Sequence, residues 1–309
     1  MTRILAITGG VGGAKLALGL ANVLDPDEAG FVVNTGDDFE HLGLEICPDL
    51  DTLTYTLAGL ANPDTGWGRE DETWNFLETL ETLGGETWFQ LGDKDLALHV
   101  TRTRLLTEGA RRTEVAAAIG RALGVRHTIL PMSDDAVRTT VLTADGALAF
   151  QHYFVRDRCA PAVTGFEFRG AAAARPSPEV LDWLAAADGV VICPSNPFVS
   201  VDPMLSIPGL RQALIDAPAP VIAVSPIVGG AAIKGPAAKM MRELELPASA
   251  DQVAAHYGGL LDGFVLDRRD ADLVARIDVP AVAAQTVMLT LRDRIDLAQT
   301  VLEFIHRLR

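Results

Sequence analysis

Basic residues are scarce in this chain: 26 lysines and arginines stand against 41 aspartates and glutamates in 309 residues, a formal net charge of -15 at pH 7. So acidic a chain lacks the basic patch that a nucleic-acid groove or an anionic membrane surface requires. Small molecules are therefore the expected partners, with no nucleic acid and no membrane among them. An anionic substrate must then be held locally, by a lysine, an arginine, a metal ion or a helix N-terminus acting against the overall field. Cysteine is rare as well. Cys47, Cys159 and Cys193 are far apart and odd in number, which gives neither a disulfide framework nor a metal knuckle; a reducing cytoplasm is the expected setting. Hydrophobic residues make up 49%, but only in short runs, none long enough to cross a bilayer. Met1-Thr2-Arg3 leads into a strand-like run without a signal-peptide cleavage pattern. No internal repeat or low-complexity linker stands out. The length lies near the size at which one domain begins to divide into two, and a single elaborated domain over residues 1–309 is expected.

What the chain does have is aspartate at a strand end. The stretch NTGDDFEHLGLEICPDLDT, Asn34 to Thr52, places Asp37, Asp38, Asp49 and Asp51 among Gly and Pro breakers directly after the apolar run Gly30-Phe31-Val32-Val33. A strand ending there delivers the first acidic pair to the carboxyl edge of a sheet, where open α/β folds bind ligands. The second pair precedes a helical pattern at Leu53, Leu57 and Leu60. Carboxylates on two loops at one sheet edge suit a hard cation such as Mg²⁺, which takes oxygen ligands and shares them with substrate phosphates. The competing reading is helix caps and loop acids, since Asp favours both places.

Three further loops follow apolar runs. Ile4-Leu5-Ala6-Ile7 ends in Thr8-Gly9-Gly10-Val11-Gly12-Gly13-Ala14-Lys15 and then a helical stretch, so Gly9, Gly10, Gly12 and Gly13 can bring backbone N–H groups to a phosphate with Lys15 beside it. Neither common fingerprint is present. Counted from Gly10, the third glycine of the dinucleotide motif would fall on Lys15, and no Gly-Lys-Ser/Thr ending marks a Walker loop. The second loop, residues 194–200, carries Ser195 and Asn196; the third, residues 225–236, carries Gly229, Gly230 and Lys234. Residues 62–124 read as a helical excursion in which Lys94, Arg102 and Arg104 can neutralise an anion. Within 137–170, an Asp145-Gly146 turn between alternating runs predicts a β-hairpin insert, with a strand over 149–154. From Ser177 helix and strand alternate again, which implies an α/β fold with a doubly wound, mostly parallel sheet. All the strand-end loops then meet at one edge, an arrangement suited to displacement at a phosphoryl group of a nucleotide. Hydride transfer by a nicotinamide dehydrogenase is less well supported, given the missing glycine.

Together GGVGGAK, the acidic stretch, LGDKDLALH with Arg102 and Thr103, PSNPFVS and SPIVGGAAIKGPAAKMM resemble the 2-phospho-L-lactate transferase family of deazaflavin coenzyme factor 420 biosynthesis, in the family's order from residue 9 to about residue 241. The resemblance implies a Rossmann-like fold, a requirement for Mg²⁺, a homodimer, and transfer of a phospho-acid from a guanosine-diphosphate adduct to the deazaflavin alcohol Fo with release of GMP. Carried over residue by residue, it puts acceptor contacts on Asp51 and Lys94, with Arg102 nearby, and metal on Asp37 and Asp49. Position 94 is often Arg in such proteins, and Lys keeps the charge without the bidentate fork. Asp51 and Asp38 are the catalytic candidates, although the sequence does not separate a base from a ligand. Phospholactate, phosphoenolpyruvate and phosphoglycerate remain open as the acid. A rival of another class is a non-enzymatic nucleotide-sugar-binding regulator on a related fold. Such relatives continue after the paired Asp with Gly-Gly-Ser-Ser, where this chain has Phe39-Glu40-His41-Leu42-Gly43, which favours the enzyme.

Overall fold

A computed structural model describes residues 2–309. Seven short apolar runs form one sheet: β1 (Ile4–Thr8), β2 (Ala29–Val33), β3 (Thr128–Pro131), β4 (Gly189–Ile192), β5 (Val221–Val224), β6 (Gly263–Asp267) and β7 (Ala281–Ala284). The order is β7-β6-β5-β4-β1-β2-β3, and every pairing is parallel. β1, β2, β4, β5 and β6 are buried along their whole length, because helices cover both faces and leave no side for polar alternation. Successive residues still point to opposite faces. Leu5 and Ile7 join Val190, Ile192 and Tyr257 in one core layer, while Ile4 and Ala6 join Leu16, Leu20 and Val301 in the other.

From β1 the chain moves outward to β2 and β3, then returns to β4 on the other side of β1. This reversal opens a crevice at the carboxyl ends of β1 and β4, the place where such sheets bind ligands. Helix α1 (Gly10–Val23) starts directly beyond β1.

The excursion over 62–124 is helical, with α3 (Asn75–Thr82), α4 (Asp93–Thr107) and α5 (Arg112–Ala122). Together with α2 (Pro48–Ala58) it encloses a small core of its own around Tyr55, Leu98, Val115 and Ile119. Three local expectations change. Asp49 and Asp51 sit in the first turn of α2 rather than in a loop before it, with Pro48 at the helix start; Pro and acidic residues both favour that turn. Residues Phe39–His41 and Leu44–Ile46 pair as an antiparallel hairpin. Its two-residue turn holds Leu42 at φ 53° and Gly43 at φ 73°, left-handed values that a Leu does not announce. The insert is a three-stranded antiparallel sheet of Gly146–Ala149, Arg138–Thr143 and Val163–Arg169, in that spatial order. The strand expected over 149–154 stops at Ala149, and His152–Arg156 is a π-helical turn. There Phe154 stacks on Phe150 at 5.4 Å and an interplanar angle of 9°, the i,i+4 contact of a helix surface.

Candidate functional site

A cavity of about 850 Å³ occupies the crevice, within the usual size of small-molecule sites. The loops over 8–15, 194–200 and 225–236 all contribute to it, and so does the acidic stretch: Gly9, Gly10, Gly12, Lys15, Asp37, Asp49, Asp51, Ser195, Asn196 and Lys234 line it. Gly13, Gly229, Gly230, Asp38, Lys94 and Arg102, also named from the sequence, do not.

The glycine loop is held by its neighbours. Gly9 N–H donates to Ser195 Oγ at 3.0 Å. Gly10, in the left-handed region at φ 64°, donates its N–H to Asp49 Oδ1 at 2.7 Å. Asp49 thus caps α1 from the first turn of another helix. The next N–H groups of α1 have no partner within the helix and point toward the cavity end, where an anion is favoured. Close packing also explains the glycines: a Cβ on Gly12 would lie 2.5 Å from the Pro194 carbonyl oxygen, and one on Gly13 would lie 2.1 Å from Thr8 Oγ1. Gly13 therefore serves the contact between α1 and β1 and has no direct place on the cavity wall. Asn196 Oδ1 accepts from Phe198 N–H at 3.0 Å, which shapes the turn that carries Ser195. Gly229 N–H donates to both oxygens of Asp270, at 3.1 and 2.9 Å, so Gly229 anchors its loop, and Gly230 beside it is not part of the cavity lining. Lys15 Nζ donates to Met288 O at 3.0 Å and Lys234 Nζ to Thr65 O at 2.6 Å. Burial, then Arg294 and Lys234, lower the Lys15 pKa.

The four aspartates divide into two environments. Asp49 accepts from Gly10 and, through Oδ2, from Asn34 Nδ2 at 3.0 Å; burial still raises its pKa to about 6 against those two bonds. Burial, followed by the charge of Asp49, pushes Asp37 well above the ordinary carboxylate value, and Asp37 Oδ1 is buried without a hydrogen-bond partner. Asp51 and Asp38, by contrast, meet arginines. Arg102 grips both oxygens of Asp51, Nη2 on Oδ1 and Nη1 on Oδ2 at 3.1 Å. The same Nη1 donates to His99 Nδ1 at 3.2 Å and to Glu45 O at 3.2 Å. Arg112 Nη1 donates to Asp38 Oδ2 at 3.4 Å, and that side chain is wholly buried. Burial raises the Asp38 pKa to about 7, with Arg112 and Arg138 pulling the other way.

Arg102, read from the sequence as a substrate contact, is thus spent on Asp51 and buried behind it. Lys94 is exposed and donates to Asp71 O at 2.6 Å. Asp38 faces α5 and not the cavity. Sequence reasoning assigned no role to Asp95 or Tyr55, and His99 entered only as the last residue of the LGDKDLALH motif. All three line the cavity, with Tyr55 OH donating to Asp95 Oδ1 at 2.6 Å and His99 Nε2 lying 3.2 Å from Asp95 Oδ2. Burial acts to raise the Asp95 pKa, but the bond and charge of His99 and the Tyr55 bond outweigh it, and the net shift is downward. The i,i+4 spacing of Asp95 and His99 was the available signal.

Two groups could hold a cation. Asp51, Asp95 and His99 each bring one ligand atom within 4.8 Å of the others, but Arg102 already places a positive charge there and Tyr55 takes one Asp95 oxygen. Asp37 and Asp49 have no cationic partner among the described residues, and one Asp37 oxygen is unsatisfied. Their all-oxygen set fits a hard divalent ion better.

The family model described as 2-phospho-L-lactate transferase CofD matches residues 4–294. A phosphoenolpyruvate transferase of Kitasatospora aureofaciens is 40% identical and covers 99% of both chains. A 2-phospho-L-lactate transferase of Methanosarcina mazei is 37% identical over 97% of this chain and 99% of its own. In fold, the chain is similar to a UPF0052 protein from Bacillus halodurans, with TM-score 0.64, 16% identity, and coverage of 98% of this chain and 99% of that one. With its seven-stranded parallel sheet and its strand-end site, the chain belongs to the 2-phospho-L-lactate transferase family.

Proposed function

We propose that this protein transfers a phospho-acid group from its guanosine-diphosphate adduct to the terminal hydroxyl of the deazaflavin Fo, releasing GMP in a divalent-cation-dependent reaction of coenzyme factor 420 biosynthesis. One observation carries the reading: the start of α1, capped at Gly10 by Asp49 and followed by N–H groups without a helical partner, lies in one cavity with two carboxylates that no protein cation neutralises. Asp37 and Asp49 would hold the cation, which supplies positive charge to the diphosphate and to the departing phosphate. The backbone of the glycine loop would bind phosphate oxygens, with Lys15 and Lys234 beside it. Asp51, fixed by Arg102, would orient the attacking hydroxyl. Because both of its oxygens already accept from the Arg102 guanidinium, which fixes the carboxylate in place, orientation is the role the geometry favours. Catalysis of this kind is mainly positioning and charge neutralisation. The names of the relatives favour enolpyruvyl or lactyl adducts as donors. The dimer implied by the resemblance stays part of the proposal and is checked by light scattering.

The test incubates the protein with Fo, Mg²⁺ and each guanosine-diphosphate-linked acid, then weighs the products. Equal amounts of GMP and phospho-acyl-Fo are expected, with none after chelation. Tight binding of the adduct without GMP release would instead establish the regulator reading, and full turnover in chelator would remove the cation.

A further inference from the structure

In so acidic a chain each cation on the cavity wall has to be accounted for. Lys15 and Lys234 are tied to main-chain carbonyls beside the glycine loop. Arg158 also lines the cavity and, among the described residues, has neither an ion pair nor a side-chain hydrogen bond. Its neighbour Arg156, two residues earlier, is bonded to Asp157 at 2.8 and 3.0 Å. The backbone at Arg158 is unusual too: Arg158 at φ 48° and Cys159 at φ 57° are consecutive left-handed residues, neither of them glycine. L-side chains avoid that region, so the surrounding structure must impose it. Bonds at 2.8 Å from Asp157 N to His152 O, Cys159 N to Tyr153 O and Ala160 N to Asp157 O do so. Arg158 is thus an exposed residue of the cavity lining whose side chain has no partner among the described residues.

The wall that carries Arg158 starts at the candidate metal carboxylates. Gln151 Nε2 donates to Asp37 O at 3.3 Å, and Phe150, Phe154 and Val155 continue the cavity lining from there to Arg158. If the diphosphate lies between the glycine loop and Asp37, the acid attached to its distal phosphate extends along this wall. Arginine's planar fork matches a carboxylate, and an apolar strip beside it suits the small hydrocarbon part of such an acid.

We propose that Arg158 recognises the carboxylate of the transferred phospho-acid and is the residue that selects acid-bearing adducts. The assignment rests on the reaction proposed above, and its test separates the two. Binding is measured by calorimetry for wild type, Arg158→Gln and Arg158→Lys with four probes: GDP, the lactyl adduct, an ethyl adduct in which hydrogen replaces the carboxylate, and Fo. Wild type should prefer the lactyl to the ethyl adduct by roughly 10- to 100-fold, the scale of a charge-assisted bidentate pair. In Arg158→Gln that preference should vanish, with GDP, ethyl-adduct and Fo affinities unchanged; Arg158→Lys should keep part of it. Unchanged GDP binding also reports an intact fold. An equal loss for GDP would assign Arg158 to the diphosphate, a loss for Fo would assign it to the acceptor, and an undiminished lactyl preference would end its role; each overturns the proposal. Failure of wild type to form phospho-acyl-Fo would overturn the reaction instead, because the binding preference is read without turnover.

Discussion

Asp37 and Asp49 stand where the protein supplies no cation, whereas Asp38 and Asp51, one and two residues further along, stand against Arg112 and Arg102. All four were expected at one sheet edge as one acidic cluster. The fold separates them by direction: after β2 the turn sends Asp37 to the cavity and Asp38 to α5, while in the first turn of α2 Asp49 faces α1 and Asp51 faces α4. A buried carboxylate without a cationic partner keeps an uncompensated charge and invites a cation, and one held by arginine is fixed in place beside its counter-charge. The first pair is therefore suited to hold an ion and the second to hold a geometry.

The largest expected effect comes from Asp51→Asn. If Asp51 orients the acceptor hydroxyl, turnover should fall by roughly two to four orders of magnitude, the range of a positioned acid or base, with donor affinity little changed. Steady-state kinetics with Fo check it, and near-wild-type turnover would remove Asp51 from the reaction. Next in size is Arg102→Ala, which leaves Asp51 buried without its counter-charge. Breaking such a pair from one side costs about 3–5 kcal/mol, read as a lower denaturant midpoint. A change below about 1 kcal/mol would show that Asp51 finds water or another partner and would dissolve the contrast between the pairs.

Removing a charge from the unpaired pair should act in the opposite direction. In Asp37→Asn the desolvated, self-repelling site loses one carboxylate, so without metal at pH 8 the protein should gain roughly 1–3 kcal/mol. The Mg²⁺-dependent rise in melting temperature expected for wild type should disappear with it. A variant that is destabilised yet still answers Mg²⁺ would move the cation to Asp51, Asp95 and His99.

How far this division was legible beforehand differs from element to element. The sheet was legible because strands buried on both faces are written as unbroken apolar runs, and Ile4–Ile7, Gly189–Ile192 and Val221–Val224 can be read directly. The hairpin at 39–46 was not, since its turn depends on Leu42 accepting a left-handed conformation that the residue type argues against. The 149–154 run alternated like a strand, but tertiary burial of Phe150 and Tyr153, three residues apart, selected a helical turn. At the site, the glycine loop and the four aspartates are local patterns and were visible. Which aspartate meets an arginine depends on contacts 51 and 74 residues apart in the chain, and no spacing rule reaches that far. Arg158 had no local signal at all.

The smallest expected effect separates the two pairs by combining pH with the response to Mg²⁺. Asp38 ionises at about 7 in the folded protein and near the ordinary 3.8 when unfolded. A carboxylate raised in this way contributes stability that is fully present below the unfolded value and is lost as pH rises through the folded one. Wild type without metal should therefore lose stability between about pH 4 and pH 7, and Asp38→Asn, which has no proton to release, should lose less. Arg112 limits the benefit, because the neutral amide gives up an attraction to the guanidinium at 3.4 Å. A net difference at pH 8 of about 1 kcal/mol is expected, or roughly 2 °C in the melting temperature of a chain this long. The decisive comparison is the response to Mg²⁺. Asp38 lies off the cavity, so the Asp38→Asn gain should be the same with and without the ion, whereas the gain from Asp37→Asn should reverse when Mg²⁺ is added to both proteins. Melting curves at pH 5 and pH 8, with Mg²⁺ or chelator, read both. An Asp38→Asn effect that changes sign with Mg²⁺ would mean that Asp38 reaches the ion after all, and that Arg112 shares its carboxylate instead of owning it.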